Sequence, residues 1–202
     1  MSPTATVAAA LVAWAQGLGL SVAPTVSSEP PQPGTAPPLP TLAIWFPTID
    51  TNTLTPPKVV SSTGGRGVYQ VGDCSAEVMF RFRLASYADA DEVRDEFWDR
   101  WLLSAMASDR QGMPVLHLPV TLRGVAGKVK LSDVGQGQIY QPQPSDTLGR
   151  NLWQVDFRGA ASWPRYIQEA SPGTGLMDVA FRVNGGVKVD LNTATATPTM
   201  GG

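Results

Sequence analysis

Ten prolines fall between Pro24 and Pro57, a stretch in which only Glu29 and Asp50 are charged. Proline has no amide hydrogen to donate and holds φ near one value, so no helix can run through these residues. The segment PPQPGTAPPLP at 30–40 reads as an extended, polyproline-like arm, a spacer or packed strap in preference to a ligand for a recognition module. Just after it, Leu42, Ile44 and Phe46 alternate with Ala43 and Trp45, the period-two pattern of a strand that Pro47 stops. Thr48 to Gly67, rich in Thr, Ser, Gly and Pro, then reads as one long loop, a length uncommon inside compact domains.

Ahead of the arm, Val7 to Leu20 (VAAALVAWAQGLGL) carries an apolar stripe of Val7, Leu11, Trp14 and Leu18, spaced as one face of a helix, with alanines supplying helix propensity. The run is too short for the roughly 20 residues that span a bilayer, and no Lys or Arg precedes it as in a secretory signal. A core-docking helix ending near Gly17 and Gly19 is expected, in preference to a membrane-surface helix, which would need a basic polar face.

The clearest pattern lies in the middle. Within Ala76 to Leu84, Val78, Phe80, Phe82 and Leu84 face one way and Glu77, Met79, Arg81 and Arg83 the other, as in a half-buried strand. A helix follows, with Asp89 as expected N-cap, Glu92 three residues on, and an apolar face of Val93, Phe97 and Trp101 flanked by Trp98, Leu102 and Ala105 through about Met106. Glu96 and Arg100 are spaced to pair across one turn. The acidic residues of Asp89 to Asp99 read as the solvated side of this helix, not as a metal site.

Strands dominate the remainder. Leu116, Leu118, Val120 and Leu122 alternate with polar residues, and Pro119 assigns that strand to an edge or bulge. Lys128–Leu131 and Gln138–Gln141 are short strand candidates, and Trp153, Val155 and Phe157 mark another. Gly124 to Lys128 lacks the spacing and the Ser or Thr of a phosphate-binding loop. Met177 to Leu191, with Asn184-Gly-Gly186 at its centre, has the pattern of a β-hairpin, and residues 192–202 form a low-complexity tail. The expected fold is α+β: one domain over 1–191, a mostly antiparallel sheet with two main helices packed on one face, and the long Pro-rich N-terminal arm and loop at 24–67.

Composition narrows the function. The 202 residues carry 15 Lys+Arg against 17 Asp+Glu, a net charge of −2, which is not the electrostatic footprint of a free-standing nucleic-acid binder. Charged residues make up 16%, below the roughly 25% of an average soluble domain, so the surface is short of charge. With 1 Cys and 1 His, zinc-finger, iron–sulfur and disulfide scaffolds are excluded, and no cofactor or metal is expected. Cys74 and His117 are the residues a hydrolase would use, but neither has a sequence neighbour that marks a nucleophile or an oriented base, and the reading is of a non-enzyme.

The order of elements resembles the tail-terminator, or tail-completion, proteins of tailed bacteriophages. The features that carry the likeness are the opening helix Val7 to Leu20, the Pro-led strand Pro40 to Phe46, AEVMFRFRL at 76–84 followed directly by ADADEVRDEFWDRWLL at 88–103, and the late hairpin at 177–191. The resemblance implies a structural virion protein, or a related neck or tail ring subunit, that caps the tail tube and joins it to the head-side connector. It implies a homo-oligomeric ring, commonly a hexamer, with tail tube and connector proteins as partners, assembled in the host cytoplasm, with DNA only passing through the channel and no membrane contact. Trp163, Arg165 and Tyr166, read as lying outside any clear strand, are candidate intersubunit anchors or a core corner, since Trp, Tyr and Arg dominate interface hot spots. Arg81, Arg83, Arg182 and Lys188 are strand cations that would line such a channel, pair between subunits, or simply be solvated. A β-rich ligand- or receptor-binding module of a viral or secreted assembly is the competing reading.

Overall fold

The computed structural model describes residues 2–29, 39–63, 66–108, 114–141 and 152–168. In chain order the elements are α1 (Pro3–Gln16), β1 (Thr25–Ser27), β2 (Thr41–Trp45), β3 (Ile49–Thr51), β4 (Lys58–Thr63), β5 (Arg66–Leu84), α2 (Tyr87–Ser108), β6 (Leu116–Leu122), β7 (Val125–Ser132), β8 (Gln138–Tyr140) and β9 (Trp153–Gln168). The class is α+β, as expected. The strands make one sheet in the order β1-β2-β5-β9-β7-β6, parallel only between β1 and β2. The late hairpin and tail, with Arg182 and Lys188, lie outside the described residues, as does the centre of the proline segment at 30–38.

The spine is the antiparallel pair of β5 and β9, in register from Val68↔Gln168 to Leu84↔Trp153. Along its other edge β5 takes three partners in succession, β2 at 79–83, β3 at 74–76 and β4 at 66–70. The expected loop Thr48 to Gly67 is therefore largely strand. It escaped notice because Lys58-Val-Val-Ser-Ser-Thr63 has no alternation, although its β-branched residues suit a pleated edge. The first half of β5 was hidden for a related reason. A bulge between Gln70 and Gly72 shifts its register, so the in–out pattern of residues 76–84 does not carry past Gly72 towards Arg66.

Both helices lie against one face of this sheet. Val7, Leu11 and Ala15 of α1, with Val93, Phe97 and Trp101 of α2, share a single apolar cluster with Leu42, Ile44, Phe80, Phe82, Leu118 and Phe157. Phe97 is its hub, with ring centroids 5.4 Å from Phe80, 5.2 Å from Phe82 and 4.5 Å from Phe157, and Trp14 of α1 meets its edge at 6.0 Å. The helix starts are set by serines. Ser2 Oγ accepts from the Ala5 amide at 3.2 Å ahead of Pro3, and Ser86 Oγ accepts from the Asp89 amide at 3.1 Å. Asp89 is thus inside the first turn of α2, not its cap; the hydroxyl of Ser86 reaches the third amide as a capping side chain must. The β6–β7 hairpin turns on Arg123 and Gly124, with φ 50° and 78°, the positive values a tight two-residue turn needs.

Trp163 to Tyr166, expected outside any strand, continues β9 without interruption. Pro164 is accommodated because β7 pairs with β9 only at 160–162, which leaves the second edge of β9 open beside it.

Candidate functional site

Pleating sends the odd-numbered residues Glu77, Met79, Arg81 and Arg83 of β5 to the face away from the helices, the buried phenylalanines occupying the other. Register then fixes their neighbours. Arg81 stands opposite Ala43 on β2 and Asp156 on β9, and Asp156 opposite Gln138 on β8. One row along, Arg83 stands between Thr41 and Gln154, with Tyr140 beyond. The result is a polar stripe across four strands on the face opposite α1 and α2.

Arg81 and Asp156 form its centre. The guanidinium donates from Nε to Oδ1 at 2.8 Å and from Nη2 to Oδ2 at 2.7 Å, a bidentate pair. Asp156 is 10% exposed and Arg81 27%, so water competes little for the carboxylate. Gln154 Nε2 donates a further hydrogen bond to Asp156 Oδ2 at 3.0 Å, and the Trp45 ring lies 5.3 Å from Arg81 Cζ. The hydrogen bond to Asp156 is the main cause that raises the Arg81 pKa above its ordinary value, against the opposing effect of burial. Arg81 is therefore engaged within its own subunit. Arg83 forms no ion pair among the described residues, and Arg158 meets Glu77 at a loose 3.7 Å.

The remaining sequence candidates separate. Trp163 and Tyr166 are core residues, 2% and 9% exposed, and Trp163 packs on Phe46 at 5.5 Å. Arg165 between them is exposed. Cys74 and His117 do not meet: register leads from Cys74 on β5 across β9 and β7 before reaching His117 on β6, three strand spacings or roughly 14 Å. They also project from opposite faces, since Ser75, not Cys74, shares the row of Ser162, Lys130 and His117. Burial, the largest effect, pushes the Cys74 thiol upward, assisted by Asp73 and opposed by Arg165, so the thiol is protonated at neutral pH. No group of three or more His, Cys, Asp or Glu positioned for a metal occurs among the described residues. No described helix is long and apolar enough to cross a membrane.

The acidic side of α2 is occupied by local partners. Arg94 holds Asp91 at 2.9 Å and Asp95 at 2.8 Å, while Glu96 accepts from both the amide and the hydroxyl of Ser21, each at 2.8 Å. The pairing of Glu96 with Arg100 is present at 3.6 Å.

Sequence reasoning missed the exposed apolar groups. Leu103 and Met106 of α2 are 64% and 60% exposed, and Val59 of β4 is 59%. Val60 and Ile49 extend the second patch along the β3 and β4 edge. The signal for the helical pair was present, because Leu103 and Met106 fall off the buried stripe Val93, Phe97, Trp101 and Ala105. Comparison with known proteins finds no family model that matches the chain, and no curated protein matches it.

Proposed function

We propose that this chain is a structural subunit of a phage neck or tail ring, a tail terminator that caps the tube and meets the head-side connector as a homo-oligomer, in keeping with a hexamer. The observation that carries this reading is the edge formed by β4. Among the described residues its outer backbone groups are unpaired, beside the exposed side chains of Val59, Val60 and Ile49, in a chain with only 16% charged residues. A strand edge of this kind is suited to β-pairing with another copy, and Leu103 and Met106 supply a second apolar contact on α2. In the ring, the proline-rich stretch around 30–40 serves as an arm laid over a neighbour, and among the described residues Arg83 is the candidate strand cation left for the channel or for an adjacent subunit. The separation of Cys74 from His117 speaks against a hydrolase built on that pair.

Native mass spectrometry of the chain, alone and with tail tubes, tests the reading. A closed ring is expected in one of the two conditions, reduced at least tenfold in population by Val59→Asp with Val60→Asp. A monomer in both, with no binding to tubes, would refute it.

A further inference from the structure

A cleft of about 260 Å³ opens where β5, β9 and β7 run side by side, its wall including Ser75, Ser162, Lys128 and Lys130. Ser75 is opposite Ser162 and Ser162 opposite Lys130, so one row of donors crosses three strands. Lys128 lies two residues from Lys130 on the same face of β7. Neither lysine has an ion-pair partner, and neither serine hydroxyl a hydrogen bond, among the described residues. The one carboxylate in the wall, Asp73, already accepts from Gln70 Nε2 at 3.0 Å. Its amide donates to Asn52 Oδ1 at 2.9 Å, which holds that side of the cleft in place.

Two ammonium groups on one strand repel unless an anion sits between them. A phosphate group has acceptors enough for both lysines and both hydroxyls, and ammonium and hydroxyl donors are the groups that bind it without bidentate geometry. We infer that this cleft is a phosphate-binding site, filled by a small phosphorylated molecule or by a nucleic-acid backbone. The inference does not depend on ring formation.

Inorganic pyrophosphate is titrated into the full chain at constant ionic strength, followed by calorimetry. A saturable response is expected, with Lys128→Ala/Lys130→Ala needing at least tenfold more pyrophosphate and Lys128→Arg/Lys130→Arg retaining the site. Both lysines are exposed, so the fold tolerates these changes. A parallel titration with a short DNA duplex separates the sources: duplex binding displaced by pyrophosphate assigns the nucleic-acid backbone, and pyrophosphate binding alone assigns a small molecule. No saturable heat on pyrophosphate titration, or equal binding by the double Ala variant, would overturn the inference.

Discussion

Glu96 shows how one side chain joins distant parts of this chain. It lies on α2 yet receives both hydrogen bonds from Ser21, in the segment that leaves α1. Burial acts to raise its pKa and is the largest single effect, but the two Ser21 bonds and the nearby Arg100 together prevail and hold the carboxyl below its ordinary value of 4.5. A depressed folded-state pKa stabilises the fold above the unfolded value, and that stability is lost as pH falls through the folded one. Glu96→Gln is therefore expected to cost about 1 kcal/mol at pH 7. Thermal unfolding of variant and parent from pH 7 down to pH 3 should show the difference shrinking below the usual glutamate range. A difference constant with pH would remove the carboxylate's charge from the account. The i,i+4 partner of Glu96 was legible in the sequence, because helical spacing is local; its partner 75 residues away was not. The same holds for Arg81, whose outward direction follows from alternation while its pairing with Asp156 depends on strand register.

At the scale of elements, β5 is exceptional: 19 residues, roughly 60 Å of extended chain, bound along one edge by β9 and along the other by three short strands. Its bulge admits a close crossing. A Cβ added at Gly72 would lie 1.9 Å from the carbonyl oxygen of Asn52, and Asn52 also donates its amide to the Asp73 carbonyl at 3.0 Å. Neither backbone can yield without breaking the contact of the β3–β4 connection with β5. Gly72→Ala should destabilise the protein by about 2–3 kcal/mol, seen as a lower urea midpoint. A change under about 0.5 kcal/mol would mean that this connection does not contribute to the folded state. Residues 76–84 and α2 were readable because each keeps one period and buries one face. The bulged half of β5, β4 and the end of β9 were not, because a bulge, an unalternating Val-Val-Ser-Ser run and an internal proline each break the local pattern while tertiary pairing maintains the strand.

The molecule as a whole is held by one core between the two helices and the sheet, and Phe97 joins its parts by touching Trp14, Phe80, Phe82 and Phe157. Truncation there leaves a cavity bounded by aromatic rings that cannot collapse into it. Phe97→Ala is expected to cost about 3–5 kcal/mol, a large share of the 5–15 kcal/mol typical of a domain, with both helices and the sheet melting together in calorimetry. The α+β class and the layering were visible from amphipathic periods alone. The order of strands was not, since β5 and β9 are separated by α2 and three further strands, and no local signal announces that pairing.

The borders of the sheet are chemically unequal. The β6 border contains Pro119, which can donate nothing to an incoming strand, whereas β4 contains no proline. A strand added to the described sheet would therefore meet fewer obstacles along β4 than along β6, which would give any accretion through these borders a direction.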